Sequence, residues 1–176
     1  MPYAISTDKG DFMRNLYAAV AKKDLKAVRL AFEADASQAA GALENAAENG
    51  ALKIVAYLTE QGVRHDWAIV NAARFDHTRT VAYLGKRRLG NMQAALIAAV
   101  AHGCEKSAKW LVKNVEGLDL TEALTDAVFK RHEKIALFLL EQGADPFERK
   151  NGGVCAFERA KKRGLDAFVR ACAFEK

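Results

Sequence analysis

The stretch AAENGALKIVAYLTEQG (residues 46–62) recurs with substitutions as VFKRHEKIALFLLEQG (residues 128–143). Both stretches end in Glu-Gln-Gly after an apolar run, and this shared ending allows them to be aligned. Four further stretches follow the same pattern in that alignment: VAKKDLKAVRLAF (20–32), ARFDHTRTVAYLG (73–85), VAHGCEKSAKWLV (100–112) and KKRGLDAFVRACA (161–173). The sequence therefore predicts six copies of one unit, which are numbered one to six below.

Four residue types recur at fixed positions of the unit. The alanine column has members separated by 27, 26, 27, 28 and 33 residues, and they are Ala19, Ala46, Ala72, Ala99, Ala127 and Ala160. Most units have valine nine residues later, an aromatic residue eleven residues later and leucine twelve residues later. These positions are called the valine, aromatic and leucine columns. Agreement of all four columns indicates that the unit was duplicated.

Each unit is predicted to be a pair of antiparallel helices. Val55 and Leu58 lie on one face of a helix, and Gly50 before it can adopt the left-handed conformation that ends the preceding helix. The other units have Lys23, Asp76, Gly103, Arg131 and Gly164 at this position. Asp24 and Asp66 are predicted N-caps. One such pair cannot bury its apolar side alone, whereas a stack of pairs can.

Two of the units resemble ankyrin repeats. They are AAENGALKIVAYLTEQGV (46–63) and HEKIALFLLEQGADP (132–146), and the family pattern is Ala-Ala-x-x-Gly-His, an amphipathic helix and Gly-Ala-Asp. The resemblance covers about residues 14–173. His77 and His132 fall at the histidine of this pattern, which implies a structural hydrogen bond within the turn.

The chain departs from that family in two ways. The Thr-Pro-Leu-His opening of the first helix is missing, and four of the five intervals are 26–28 residues rather than 33. Links such as GVRHDW (62–67) are too short for a β-hairpin finger, and only GADPFERKNGG (143–153) has near-full length and an Asn-Gly turn signal.

The predicted fold class is therefore all-α. We expect an α-solenoid of about six stacked, ankyrin-like helix-turn-helix repeats of about 27 residues, with most β-hairpin fingers trimmed. Helical repeats of the HEAT or tetratricopeptide type are the alternative, because they also stack helix pairs.

Composition and charge indicate the cellular compartment and the domain organisation of the chain. Its 176 residues carry a net charge of +5 and three cysteines without a CxxC pair, which favours reduced thiols in the cytoplasm or nucleus. The N-terminus has no signal pattern, and no apolar run approaches the ~20 residues of a membrane span. We expect residues 1–10 to be a flexible arm, residues 11–176 to form a single repeat domain, and the protein to be a monomer.

The sequence contains none of the common catalytic motifs. It lacks G-x-S-x-G, a phosphate-binding G-x-x-x-x-G-K and H-E-x-x-H, and a turn separates His102 from Cys104. We therefore expect no enzymatic activity, no cofactor and no metal site. The aromatic column contains Tyr57, Tyr83, Trp110 and Phe138. These rings could form a strip for stacking bases or peptides, but their closeness to the leucine and valine columns favours filling of the seams between units.

The resemblance implies that the last turns of the first helices line a concave binding groove. We therefore predict a protein–protein interaction module that occupies a partner protein and acts as an inhibitor, an adaptor or an effector. The predicted partner-binding residues are Asn45, Glu48, Asn49, Asn71, Arg74, Phe75, His102, Asp126, Phe129, Lys130, Arg159, Lys162 and Arg163. Phe75 and Phe129 resemble interface anchors because each adjoins a cation, although both rings could instead pack under the next unit.

The alternative function is binding of nucleic acid or another acidic partner. Basic residues cluster in the last unit, and they are Arg149, Lys150, Arg159, Lys161, Lys162, Arg163 and Arg170. Such a cluster is also what a terminal repeat needs, because the end of a solenoid must present a polar face.

Overall fold

The computed structural model describes residues 16–149 and 153–174, and these ranges contain twelve helices and no β-strand. Helix α1 comprises residues 16–21. The others are α2 (Leu25–Ala34), α3 (Ala39–Glu48), α4 (Leu52–Glu60), α5 (Trp67–Arg74), α6 (Thr78–Lys86), α7 (Met92–Ala101), α8 (Glu105–Asn114), α9 (Leu120–Phe129), α10 (Glu133–Glu141), α11 (Ala156–Arg163) and α12 (Asp166–Phe174). The predicted arm, residues 1–10, and the predicted Asn-Gly turn lie outside the described residues.

The helices form two layers with translational order. The first helices of the units pack in the sequence α3, α5, α7, α9 and α11, and the second helices pack in the sequence α2, α4, α6, α8, α10 and α12. From unit two onward, each second helix also packs against the first helix of its own unit. The predicted α-solenoid of helix pairs is thereby confirmed.

The duplicated columns form the core. The alanine column is buried throughout, and from unit two onward it has no exposed surface. Because alanine is small, neighbouring first helices can approach closely. The leucine column is likewise buried at Leu58, Leu84, Leu111 and Leu139. Each buried leucine contributes about 1.5–3 kcal/mol relative to an exposed one, so the columns hold the layers together.

The aromatic column fills the seams between units. The ring of Tyr57 meets that of Phe32 of the preceding unit edge-on at 5.8 Å between centroids. The hydroxyl oxygens of Tyr83 and Thr59 are 3.1 Å apart across the next seam. Phe138 is only 8% exposed. These contacts confirm the seam interpretation over the stacking strip.

A Schellman motif ends the first helix of every unit. In unit two the N–H of Ala51 donates to the carbonyl of Ala46 at 2.8 Å, and the N–H of Gly50 donates to Ala47 at 3.1 Å. The alanine-column carbonyl accepts the equivalent bond in all six units. The residue directly before this donor has positive φ in every unit, and these residues are Lys23, Gly50, Asp76, Gly103, Arg131 and Gly164. The motif thus holds even where lysine or arginine must adopt a left-handed conformation.

The two predicted N-caps differ in outcome. The carboxylate of Asp24 accepts hydrogen bonds from the N–H groups of Lys26 and Ala27 at 3.0 and 3.1 Å, as expected. The prediction for Asp66 is wrong, because its side chain makes no capping bond and its backbone is helical at φ −64° and ψ −27°. Its carbonyl instead accepts a bond from the N–H of Asn91 in the next unit.

At four of the five junctions between units, a hydrogen bond links the turn of one unit to the next unit. Nε2 of His77 lies 2.8 Å from the carbonyl oxygen of Glu48, and Nε2 of His132 lies 3.3 Å from that of Ala101. A carbonyl only accepts, so Nε2 carries the proton in both histidines. The bond expected within the turn therefore crosses to the preceding unit.

The equivalent carbonyls at the other two junctions have different donors. The thiol of Cys104 lies 3.2 Å from the carbonyl oxygen of Arg74, and Nη1 of Arg163 lies 2.5 Å from that of Phe129. Burial, and then the charge of Asp76, raises the pKa of the Cys104 thiol. The sulfur consequently keeps its proton and can donate it to the carbonyl.

The residue that follows the left-handed residue is histidine only in units whose preceding unit has glycine as its left-handed residue. A Cβ atom on Gly50 would lie 2.5 Å from Nδ1 of His77, and one on Gly103 would lie 2.9 Å from Cε1 of His132. After the turns at Lys23, Asp76 and Arg131, the position contains Ala51, Cys104 and Leu165 instead. The left-handed residue thus limits the size of its neighbour in the next unit.

Acidic side chains cap second helices across the same two junctions that bond through Cys104 and Arg163. Oδ1 of Asp76 accepts hydrogen bonds from the N–H and hydroxyl of Ser107 at 2.9 and 2.8 Å. Oε1 of Glu133 accepts one from the N–H of Phe168 at 3.2 Å. Ser107 and Phe168 are both third residues of their helices, where an N-cap side chain normally bonds. These contacts replace the missing histidines as connections between units.

Gly103→Ala is expected to destabilise the chain more than Gly164→Ala. Both glycines have positive φ, at +71° and +67°, so alanine incurs about 1 kcal/mol of backbone strain at either site. Only at Gly103 does the new Cβ also meet a histidine ring, whereas nothing lies within 4 Å at Gly164. Urea denaturation followed by circular dichroism measures both losses. Equal losses, or no relief of the Gly103→Ala defect by His132→Ala, would contradict the steric explanation.

Candidate functional site

The turn of each unit presents two consecutive residues at the end of its first helix. They are the last helical residue and the C-cap, and the pairs are Glu48 and Asn49, Arg74 and Phe75, Ala101 and His102, and Phe129 and Lys130. Lys162 and Arg163 hold the equivalent positions of α11. Because the Schellman motif fixes this geometry, these pairs recur along one edge of the first-helix layer.

The predicted partner-binding residues divide by exposure. Exposed are Glu48, Arg74, Phe75, His102, Phe129, Lys130 and Lys162. Half-buried are Asn45, Asn49, Asn71, Asp126, Arg159 and Arg163. Exposure depends on position in the helix. Most of the half-buried residues lie one helical turn before the exposed pairs or form hydrogen bonds within the protein.

Two exposed phenylalanines stand on this edge. Phe75 is 46% exposed, and its ring is stacked against His77 with centroids 6.5 Å apart. The guanidinium of Arg74 lies 5.5 Å from the same ring centroid. Phe129 is 43% exposed. Both rings are therefore in contact with neighbouring side chains and still about half exposed to solvent.

Three cations surround the ring of Phe129. Arg163, Arg159 and Lys130 have their charged groups 4.6, 5.4 and 5.7 Å from its centroid. Two of these residues come from unit six and one from unit five, so the cluster exists only because the units stack. Together with Asp126 they form the largest group of predicted site residues that the structure brings together.

The amide residues near the other end of the edge are engaged internally. Nδ2 of Asn49 donates to the backbone carbonyl and the side-chain oxygen of Asn45 at 2.9 and 3.0 Å. Nδ2 of Asn71 donates to Oε1 of Glu44 at 2.9 Å, and Nε2 of His65 lies 3.8 Å from the other oxygen of Glu44. These asparagines are therefore poorer candidates for partner contact than the aromatic and basic residues.

Sequence reasoning missed Glu44 and Glu122 as part of this face. Glu44 bonds to Asn71, 27 residues later, and Glu122 accepts a hydrogen bond from Gln93, 29 residues earlier. Both separations are close to one repeat length. Polar pairs spaced by one period were therefore the available signal.

Charge changes sign along the first helices. Helix α3 contains Glu44 and Glu48 and no basic residue, whereas α11 contains Glu158 and four basic residues. The four are Arg159, Lys161, Lys162 and Arg163. Three of them lie in the last turn of α11, where cations interact favourably with the helix dipole.

Part of the predicted basic end is already paired. Arg149 forms an ion pair with Glu158, and the ammonium of Lys161 lies 4.5 Å from the ring centroid of Phe157. Lys150 lies outside the described residues. Of the other predicted basic residues, Arg159, Lys162 and Arg163 lie in α11 and Arg170 is exposed on α12.

Asp126 is a half-buried carboxyl group beneath this cluster. Burial raises its pKa, the charge of Glu122 raises it further, and Lys130 and Arg159 act in the opposite direction. The raised pKa means that the folded protein disfavours the ionised form at this position. At neutral pH the ionised carboxylate thus lowers the stability of the fold.

Membrane-spanning helices and metal centres are two other classes of site. Among residues 16–149 and 153–174, no helix is long and apolar enough to span a membrane. In the same part of the chain, no three histidine, cysteine or acidic residues lie close enough to hold a metal ion.

Comparison with known proteins supports the architecture. No family model and no curated protein matches the sequence. Among solved structures, the chain is similar to the crystal structure of EF0377, an ankyrin repeat protein, with a TM-score of 0.73. That match has 22% sequence identity and covers 90% of this chain and 96% of the other. The chain therefore has the ankyrin repeat fold, and the HEAT and tetratricopeptide alternatives are not supported.

Asp126→Asn is expected to stabilise the protein at neutral pH. The folded-state pKa of Asp126 lies above the ordinary value of 3.8, so its stabilising contribution in acid is lost as the pH rises through the folded-state pKa. The variant should unfold at higher urea concentration than the wild type at pH 7, and the difference should shrink as the pH falls below 3.8. Glu116→Gln, at an exposed site, serves as the control. A loss of stability in Asp126→Asn at neutral pH would contradict the assignment.

Proposed function

We propose that this chain is a non-catalytic protein–protein interaction module that binds a partner protein through the first-helix face. The observation that carries the proposal is the pair of half-exposed rings, Phe75 and Phe129, on the edge formed by the repeated turns. A stack of helix pairs offers a long, rigid surface, which suits recognition of another macromolecule.

The support of the two rings favours binding. Phe75 lies against Arg74 and His77, and Phe129 lies against Lys130, Arg159 and Arg163, so both rings are partly immobilised before any partner arrives. Less conformational entropy is then lost on binding. Aromatic and arginine side chains are also the types that dominate the energetics of protein interfaces.

The half-buried carboxylate of Asp126 supports the same face. Its raised pKa indicates a group that lowers the stability of the fold at neutral pH. Residues that reduce stability in this way are concentrated at functional surfaces. Asp126 lies on the same helix as Phe129 and near Lys130 and Arg159, where it can influence a bound partner.

The proposed mode of action is occupancy. A module of this kind inhibits, masks or bridges its partner by covering a surface, as an inhibitor, adaptor or effector. We propose that it acts as a monomer in the cytoplasm or nucleus, where buried thiols such as those of Cys104 and Cys155 stay reduced. No cofactor and no membrane form part of the proposal.

The double variant Phe75→Ala and Phe129→Ala is expected to weaken partner binding by more than about tenfold, since interface anchors contribute ~2 kcal/mol or more each. The partner is first captured on the wild-type protein from a lysate of the source organism and identified by mass spectrometry. Its dissociation constant is then measured by calorimetry for each variant. Leu30→Ala is the control, because Leu30 is 70% exposed on the second-helix layer. An unchanged dissociation constant in the folded double variant would contradict the proposal.

A further inference from the structure

We infer that the C-terminal end of the first-helix face binds an acidic segment of the partner polypeptide. The site consists of Phe129, Lys130, Arg159, Lys162 and Arg163, and it is called the Phe129 site. The inference rests on the proposed function and names the chemistry of the segment that this end of the face accepts: carboxylates beside an apolar side chain.

Within the part of the chain that the structure describes, the cations of the Phe129 site form no ion pair. Among residues 16–149 and 153–174, ion pairs within 4.0 Å link His65 to Glu44, Lys109 to Glu105 and Arg149 to Glu158. None of these pairs includes a cation of the Phe129 site. Nε of Arg159 is moreover buried without a hydrogen-bond partner. The site therefore holds positive charge that a bound carboxylate can neutralise.

The arrangement around the ring concentrates this charge. The charged groups of Arg163, Arg159 and Lys130 all lie within 5.7 Å of one ring centroid. Lys162 adds a fourth, exposed cation in the same turn as Arg163. A small positive region around an exposed apolar ring complements one or two carboxylates flanking an apolar side chain.

The surroundings favour a polypeptide over nucleic acid. A bound strand presents one phosphate per ~3.4 Å of helix axis and needs a continuous basic track. Here Asp126 on α9 lies close enough to Lys130 and Arg159 to interact with their charges, and Glu44 and Glu48 make α3 acidic. Repulsion from these carboxylates restricts anion binding to units five and six. A segment with a few acidic residues fits that restricted length.

The inference is tested with a fluorescent peptide that alternates glutamate and leucine, compared with a matched peptide in which glutamine replaces glutamate. A single-stranded oligothymidine serves as the nucleic-acid probe. Fluorescence anisotropy gives each dissociation constant at low and physiological salt. The test variant is Arg159→Gln with Lys162→Gln, and Arg163 is left intact because it bonds to the Phe129 carbonyl. The control is Lys106→Gln with Lys113→Gln, which removes two exposed charges from α8.

The glutamate peptide is expected to bind wild-type protein about tenfold or more tightly than the glutamine peptide, with weaker binding as salt increases. Arg159→Gln with Lys162→Gln should abolish the preference, while the control variant keeps it. Equal affinity for both peptides, no binding of the glutamate peptide, an unaffected test variant or tighter binding of oligothymidine would each overturn the inference. If only this preference fails while Phe75 and Phe129 still govern partner binding, the proposed function stands without the acidic specificity.

Discussion

One hydrogen bond underlies the whole architecture: in each unit, the N–H of the residue that follows the left-handed residue donates to the alanine-column carbonyl. It ends the first helix, reverses the chain and starts the second helix at the same point in every repeat. Its lengths range only from 2.8 to 3.1 Å across the six units. The constraint is strong enough to hold Lys23 and Arg131 at φ values of 56° and 63°, where residues with a Cβ are disfavoured.

The same turn produces both the connection between units and the candidate binding surface. The carbonyl of the last helical residue points to the next unit and accepts its hydrogen bond, as at Glu48 and Phe129. At Glu48, Phe75 and Phe129 the side chain of the last helical residue or of the C-cap is exposed to solvent. The proposed binding and the stability of the stack therefore use different atoms of one turn. At Phe129 the carbonyl binds Arg163 within the fold, while the ring is 43% exposed.

Much of this could be predicted from the sequence because the repeat is periodic. The duplicated columns identified the buried positions, and glycine at Gly50 and Gly103 marked the turns. The partners of the turn histidines could not be predicted, because His77 bonds to a carbonyl 29 residues earlier and a motif shows only its own unit. The failure of Asp66 as an N-cap could not be predicted either, since its helical backbone places the side chain away from the N–H groups of α5.

The sequence by itself determined the helix pairs, their order and the residues that face the core, since side-chain periodicity and duplication specify these directly. Only the tertiary structure decided which of the predicted site residues lie close together. Phe129 gathers Arg159 and Arg163 from the following unit, whereas Asn45 and Asn49 bond to each other within α3 and its C-cap. The reason is geometric: the distances between units depend on how closely the alanine columns pack, and one unit read alone does not contain that distance.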